Sequence, residues 1–153
     1  KKRFAIWSGE ETQKMKDSIK KTFNQKDNSN GSKIKVILGS PSIKEGVTLL
    51  RVEQVHILEP YWNMSRMLQI IGRAVRYCSH KDVPKNKRLV QIYLYLAQTR
   101  DERKSIDNYI WEMAKKKAKL INKFERLMKE YAIDCETFYN ANYDKENPLV
   151  CFE

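Results

Sequence analysis

The amino-acid sequence predicts an α/β domain with three layers, in which helices cover both faces of a parallel sheet. Short apolar runs of strand length alternate along the chain with segments of helical periodicity, and this order requires parallel pairing through helical crossovers. The 153 residues are 41% hydrophobic and 10% aromatic, which is enough for one hydrophobic core. Functional loops of such a domain lie at the carboxyl ends of its strands.

The first half of the chain contains two predicted strands. "RFAIW" (3–7) is a short run of bulky residues that ends at the turn "SGE", as is typical of a strand. The polar, turn-rich segment 24–33 predicts a surface loop, and the continuous apolar run 34–38 predicts a buried parallel strand. Between the first strand and the loop, three apolar residues at helical spacing predict a helix: Met15, Ile19 and Phe23.

Two further strands are predicted in the second half. The segment "VEQVHILEP" (52–60) predicts a third strand, and a helix follows "YWN". Residues 88–98 alternate between apolar and polar side chains, which predicts a strand with two unlike faces. Tyr93 and Tyr95 on its polar face suit a base-stacking platform, although burial beneath a crossover helix is the expected arrangement.

The C-terminal third of the chain is predicted to be mainly helical. Apolar residues recur at helical spacing from Ile106 to Tyr131, and Lys117 interrupts their stripe. The tail from Asp134 is aromatic but has no period, so no element is predicted there. We expect residues 1–100 to form the core domain and residues 101–153 to form a helical extension packed on it.

Composition favours a polyanionic partner. Thirty Lys and Arg residues against 19 Asp and Glu residues give a net charge of +11, which suits nucleic acid better than small acidic ligands. Lysine runs such as 115–119 are also typical of a solvated helix face. No apolar run approaches the roughly 20 residues of a membrane span, so no membrane partner is expected.

The three cysteines predict neither a disulfide framework nor a cysteine-based zinc site, because their number is odd and no CxxC spacing occurs. Cys78 and His80 are too few to predict a metal site, and a reducing compartment fits best. Among other single residues, Trp62 is expected to pack, Arg66 to pair with a carboxylate, and His56 to lie in the core.

Two arginines stand out in "QIIGRAVRYCSH" (69–80). Gln69, Arg73 and Arg76 share one face at the helical spacing i, i+4 and i+7, while an apolar stripe that extends to Cys78 follows another face. Gly72 costs a helix about 1 kcal/mol relative to alanine, which suggests a close approach to the backbone. For an isolated helix, a solvated face with a packing glycine explains the same pattern.

A second polar segment follows the predicted strand at 34–38. It reads "GSPSIKEGVTL" and offers the hydroxyls of Ser40 and Ser42, then Gly46 and Thr48. Both this loop and the arginine helix follow strands, so we expect them at one phosphate-handling rim of the sheet. No GxxxxGK[ST] motif occurs, so the other half of a nucleotide site must come from another domain.

These residues carry a resemblance to a known family. "QIIGRAVR" resembles motif VI of superfamily 2 helicases, Gln-x-x-Gly-Arg-x-x-Arg, and "GSPSIKEGVTL" resembles motif V, with Ser40 and Gly46 at its Ser/Thr and glycine positions. The run from "EGVTLL" to "YCSH", with "RLVQIYLYL" and "KFERLMKEYAIDC", is similar to one branch. That branch comprises poxvirus nucleoside triphosphatase I, the small subunit of the poxvirus early transcription factor, and relatives in other large DNA viruses.

The resemblance implies a second RecA-like domain that closes over ATP and Mg²⁺ bound mainly by an N-terminal RecA-like domain. Arg73 and Arg76 would then reach the γ-phosphate as catalytic residues. The other roles that it implies are nucleotide-site residues, namely Gln69, Gly46, Gly72 and Thr48, and nucleic-acid phosphate contacts, namely Ser40 and Ser42. It implies no metal ligand in this chain.

The expected function is therefore the C-terminal half of a viral nucleic-acid-dependent ATPase or helicase that serves transcription and is inactive alone. Expected partners are nucleic acid, with DNA favoured over RNA, the chain's own N-terminal domain, and a viral RNA polymerase. The expected location is the viral factory in the host cytoplasm or the virion. The alternative is a non-catalytic basic module that binds DNA or docks proteins in a transcription complex.

Overall fold

A computed structural model describes residues 2–40, 43, 47–98, 100 and 104–152. Within them, every predicted strand and helix is present, which confirms the α/β class. In chain order the elements are β1 (Phe4–Trp7), α1 (Gln13–Asn24), β2 (Val36–Gly39), β3 (Gln54–Ile57), α2 (Met64–Ala74), β4 (Gln91–Leu94) and α3 (Ile106–Glu130). Two short 3₁₀ helices span Lys26–Asn28 and Lys85–Lys87.

All strand pairing in the described residues is parallel, as predicted. β1 pairs with β2 so that Phe4 lies opposite Val36, and β3 pairs with β4 so that Gln54 lies opposite Gln91. The described strands form two two-stranded sheets. Parallel neighbours present their carboxyl ends at the same edge, so the segments after β1 and β2 emerge together.

The chain divides into two compact units. The first contains residues 1–58 and 67–95, and the second contains residues 59–66 and 96–153. The packing of residues 101–153 on a core domain stays a prediction. Buried apolar residues in the first unit are Trp7, Ile57, Met67 and Ala74, and those in the second are Ala114, Cys135 and Leu149.

Each long helix begins at a polar residue that accepts a hydrogen bond from the first turn. Thr12 Oγ1 accepts from the Met15 amide at 3.4 Å, Asn63 Oδ1 from the Arg66 amide at 3.0 Å, and Ser105 Oγ from the Asn108 amide at 3.2 Å. These bonds satisfy amide groups that have no partner inside the helix. None of the described helices combines the length and apolarity needed to cross a membrane.

Two basic side chains of the second unit, those of Lys117 and Arg66, contact aromatic rings. The Lys117 ammonium lies 4.6 Å from the ring centroid of Trp62, so the lysine in the apolar stripe makes a cation–π contact. The prediction that Arg66 pairs with a carboxylate is wrong within the described residues. Its guanidinium instead lies 4.3 Å from the Tyr61 ring centroid and donates to the Tyr61 hydroxyl at 3.1 Å.

The tail folds back onto the end of α3. Cys135 and Cys151 form a disulfide, so the prediction of no disulfide is wrong for this pair, while Cys78 is free. The Phe152 ring stacks on Tyr131 with centroids 4.6 Å apart. An odd number of cysteines leaves such a pairing possible, and only the return of the tail brings residues 135 and 151 together.

One buried asparagine organises the predicted surface loop at 24–33. Asn28 is 5% exposed. Its Nδ2 donates to the carbonyls of Phe23 at 3.1 Å and Ile34 at 3.0 Å. Its Oδ1 accepts from the amides of Lys33 and Ile34, both at 2.9 Å. A single side chain therefore links the end of α1 to the start of β2.

We expect Asn28→Ala to lower the free energy of unfolding by about 2–4 kcal/mol, because it removes four hydrogen bonds and leaves buried backbone groups unsatisfied. Urea unfolding followed by circular dichroism measures the change. Asn30→Ala, in the same loop but exposed, is the matched control and should change it by under about 0.5 kcal/mol. Equal effects of both variants would contradict this role of Asn28.

Candidate functional site

Ser40 lies where the motif V segment leaves β2. Its amide donates to the Trp7 carbonyl at 3.0 Å, and its carbonyl accepts from the Ile43 amide at 3.1 Å. The residue is half-buried, and it follows the carboxyl end of β2, which is the position that the sequence predicts. Ser42 and Gly46 lie outside the described residues.

The Asn24 side chain holds the end of the motif V segment. Asn24 is the last residue of α1. Its Nδ2 donates to the Thr48 carbonyl at 2.9 Å, and its Oδ1 accepts from the Leu50 amide at 2.8 Å. The amide group therefore pairs with backbone groups on both sides of Leu49, as a neighbouring strand would.

Motif V and motif VI meet through two hydrogen bonds. The Leu49 amide donates to the Arg73 carbonyl at 3.2 Å, and Arg76 Nη1 donates to Thr48 Oγ1 at 2.7 Å. The structure thus brings together three of the predicted site residues: Thr48, Arg73 and Arg76. A guanidinium has five N–H donors, and no carboxylate of the described residues forms an ion pair with that of Arg76.

The predicted helical face of Gln69, Arg73 and Arg76 is wrong in one respect. α2 ends at Ala74, so Gln69 and Arg73 lie on the helix while Arg76 lies in the turn that follows. Gln69 and Arg76 are exposed, and Arg73 is half-buried. Cys78, predicted on the apolar stripe, is exposed and has a left-handed backbone with φ of 61°.

A buried serine fixes the turn that carries Arg76. Ser79 is 3% exposed, and its amide donates to the Arg76 carbonyl at 2.9 Å. Its Oγ accepts from the Arg76 amide at 3.3 Å and lies 2.8 Å from His80 Nδ1. His80 Nε2 lies 2.8 Å from the Val52 carbonyl, which ties the turn to the segment after motif V. His80 therefore has a structural role, because both of its ring nitrogens contact other residues of the chain.

Arg51, like Asn24 and Ser79, has a structural role that the sequence does not predict. Its side chain is 9% exposed, and its guanidinium lies 3.3 Å from the Asp82 carboxylate. The same group donates to the carbonyls of Asn24 and Gln25, and the Arg51 amide donates to the Ser79 carbonyl at 3.1 Å. Nothing in the sequence pattern identifies Arg51, because its partners are far apart along the chain.

A pocket of about 460 Å³ lies beside the turn. Three cationic residues contribute to its lining: Arg76, Lys81 and Arg88. Among the described residues, no group of three or more His, Cys, Asp or Glu side chains is placed to hold a metal ion. The site therefore offers positive charge and hydrogen-bond donors, the chemistry that recognises phosphate groups.

Gly72 has open space beside it. It is exposed, and a methyl group built on it meets no atom of the described chain within 4 Å beyond its own helical backbone and chain neighbours. The packing-glycine alternative therefore fails within the described residues. The backbone at Gly72, next to Arg73, is therefore open to close contact with a ligand or another domain.

The parallel α/β fold and the hydrogen-bonded motifs V and VI define the class, a helicase C-terminal domain of RecA-like fold. The chain belongs to the helicase conserved C-terminal domain family, whose profile matches residues 1–78. More particularly, residues 80–149 match the nucleoside triphosphatase I C-terminal family. These matches confirm the resemblance that the two motifs and the branch-specific segments indicate.

Viral proteins are among the relatives. Two proteins of Acanthamoeba polyphaga mimivirus, both named "Putative ATP-dependent RNA helicase", are 57% identical over 98% of the chain and 46% identical over 88% of it. A protein of African swine fever virus named "Termination factor NPH-I homolog" is 35% identical over 87% of the chain. The matched regions are 26%, 17% and 20% of these relatives, so the chain spans about a quarter or less of their length.

We expect Gly72→Ala to raise the free energy of unfolding by about 0.5–1 kcal/mol, because alanine favours a helix and its methyl group meets no neighbour. Urea unfolding of the 153-residue chain measures this change. Ser65→Ala, at another exposed position of α2, is the control and should give a smaller gain. A loss of stability in Gly72→Ala would show that this backbone is already packed.

Proposed function

We propose that this chain is the C-terminal half of a viral nucleic-acid-dependent ATPase or helicase. In this proposal it supplies Arg73 and Arg76 to an ATP site that an N-terminal RecA-like domain completes. The observation that carries the proposal is the bond from Arg76 to Thr48, because it joins the motif VI arginine to motif V.

This chain provides the arginine side of a triphosphate site but not the P-loop side. Arg76 is exposed and bonded to a neutral hydroxyl, so its charge can stabilise negative charge on a transferring phosphoryl group. We assign Gln69, which is exposed one helical turn before Arg73 in α2, to the same site. The P-loop and the magnesium carboxylates belong to the N-terminal domain in this proposal, and Mg²⁺-bound ATP supplies the phosphoryl group.

The remaining motif residues have roles in closure and coupling. Gly72 presents an open helix surface to the approaching domain. Thr48 orients Arg76 through its hydroxyl. Gly46 joins the nucleotide site to the nucleic-acid site, a role that the resemblance to motif V supports.

On the nucleic-acid side, we assign phosphate contacts to Ser40 and Ser42. The position of Ser40 at the carboxyl end of β2 and the net charge of +11 support this assignment. Contacts of this kind hold the backbone without reading its sequence, as a translocating motor requires. We propose DNA as the substrate, and the RNA helicase names of the two mimivirus relatives make RNA the alternative.

Transcription is the process in which we place this activity. The termination-factor name of the African swine fever virus relative supports this choice. A viral RNA polymerase is then the partner, and the viral factory in the host cytoplasm or the virion is the place of action.

We expect Arg76→Ala in the longer protein to lower ATP turnover by at least about 100-fold, because the transition state loses a positive charge. ATP binding should change by less than about three-fold, since the N-terminal domain holds most of the nucleotide. Turnover is measured by steady-state hydrolysis with and without single-stranded DNA or RNA. ATP affinity is measured by equilibrium nucleotide binding.

The matched control is Arg3→Ala, which removes an exposed arginine next to β1 and should leave turnover unchanged. The 153-residue chain alone should show no turnover, because it contains no GxxxxGK[ST] motif. Undiminished turnover in Arg76→Ala would remove this arginine from the catalytic role. Absent turnover in the wild-type longer protein would favour the non-catalytic basic module.

We expect the affinity of the chain for single-stranded nucleic acid to fall by about ten-fold or more between 50 and 200 mM salt. Release of two or three counterions on binding produces a drop of this size. Fluorescence anisotropy with a labelled oligonucleotide measures it. A peptide nucleic acid of the same bases, which has no phosphates, is the control and should show no such dependence. A flat response with the normal oligonucleotide would contradict a phosphate-binding surface.

A further inference from the structure

The β3–β4 sheet has two chemically different faces. Val55 and Ile57 of β3 share one face with apolar residues of β4, and Ile57 is 7% exposed. The opposite face is mainly polar and aromatic, and exposed Leu58 continues it after Gln54 and His56. It carries five polar or aromatic residues, which we name the tyrosine face: Gln54, His56, Gln91, Tyr93 and Tyr95.

The tyrosine face is exposed, which corrects two expectations. His56 was expected in the core, but it is exposed on this face. Tyr93 and Tyr95 were expected beneath a crossover helix, but they are 37% and 45% exposed.

Hydrogen bonds fix the side chains of this face. Tyr95 Oη lies 2.8 Å from His56 Nδ1, and His56 Nε2 lies 3.2 Å from Gln54 Oε1. Gln54 Nε2 donates to Gln91 Oε1 at 3.1 Å, and the Tyr93 hydroxyl donates to the same oxygen at 3.2 Å. A neutral His56 with its proton on Nε2 satisfies all four contacts, because Nδ1 then accepts from Tyr95. The rings are therefore held in place before any ligand arrives.

The three rings form one stack. His56 lies between the two tyrosines in the contact network, with centroids 4.8 Å from Tyr93 and 5.8 Å from Tyr95. The planes are inclined by 11° and 23°, so both contacts are nearly parallel. Tyr93 makes the closer ring contact with His56, whereas Tyr95 also reaches the edge of the imidazole through its hydroxyl.

The chemistry of this face indicates its occupant. Exposed rings beside amide and hydroxyl groups suit a planar partner with polar edges. Two exposed lysines, Lys85 and Lys87, lie in the 3₁₀ helix that precedes β4, so the strand that bears the tyrosines follows a segment that can neutralise phosphates.

We propose that the tyrosine face binds unpaired nucleobases of a single-stranded nucleic acid, which extend the stack on Tyr93 and Tyr95. This site is separate from the phosphate contacts of the proposed motor, and it binds bases instead of backbone. Stacking tolerates any base, because every base has a π face. Such a site would slow release of the strand without imposing a sequence.

The test compares two fluorescein-labelled probes of 20 units on the complete 153-residue chain by anisotropy at 100 mM salt. One probe is oligodeoxythymidine, and the other is an abasic strand with the same phosphates. We expect Tyr93→Ala to weaken binding of oligodeoxythymidine by about five-fold or more and to leave the abasic strand unchanged. Tyr93→Phe, which keeps the ring, should stay within about two-fold.

The matched control is Tyr109→Ala on α3, where the tyrosine is 62% exposed. It should leave both probes unchanged. An equal loss on both probes, or no loss in Tyr93→Ala, would overturn the base-stacking site while leaving the proposed motor intact. Binding of oligodeoxythymidine without binding of the abasic strand would support the tyrosine face and contradict the phosphate contacts.

Photocrosslinking of the unaltered chain covers the case in which Tyr93→Ala fails to fold. A 20-mer that contains 5-bromodeoxyuridine should crosslink to the tryptic peptide 89–100, which carries both tyrosines. The same experiment with 5-bromouridine RNA identifies the favoured strand. Adducts confined to other peptides with both strands would overturn the proposal.

Discussion

The bidentate use of the Asn24 side-chain amide is the contact on which the arrangement of the candidate site depends. It pairs with the backbone of Thr48 and Leu50 from the end of α1, so the last turn of a helix takes the place of a neighbouring strand. The Leu49 amide lies between these two points and is therefore presented to the Arg73 carbonyl. Motif V reaches motif VI because α1 holds it there, and the order of these contacts explains why residues distant in sequence form one site.

Most of the fold follows from the sequence because its signals are local. Strand β4 is recognised by alternation and α3 by a period of three to four residues, and both patterns need only a short window. The contacts that position Arg76 are different in kind. Ser79 acts through a turn that periodicity does not predict, and Asn24 acts over 24 residues of chain. The identities of the motif residues could therefore be predicted, whereas the groups that hold them could not.

In the second unit, the partners in the disulfide and in the cation–π pair likewise could not be predicted from local sequence patterns. Cys135 and Cys151 are 16 residues apart, and their pairing depends on the return of the tail along the end of α3. Lys117 breaks the apolar period of α3, yet its ammonium contacts Trp62, which lies 55 positions earlier. The departure of Lys117 from the apolar period is visible in the sequence, but its partner, like that of Cys135, is set by tertiary structure.

Arg76 is held in a way that suits a residue required at another surface. A carboxylate partner would stabilise the guanidinium more strongly but would also cancel the charge that a phosphoryl group needs. The Thr48 hydroxyl orients the side chain through one hydrogen bond and leaves the charge in place. The Arg76 backbone is fixed separately by buried Ser79, so a long side chain begins from a defined point and loses less conformational freedom when it meets a ligand. Firm backbone anchorage with a neutral side-chain partner distinguishes this arginine from Arg51, whose guanidinium is buried against Asp82 and serves the fold.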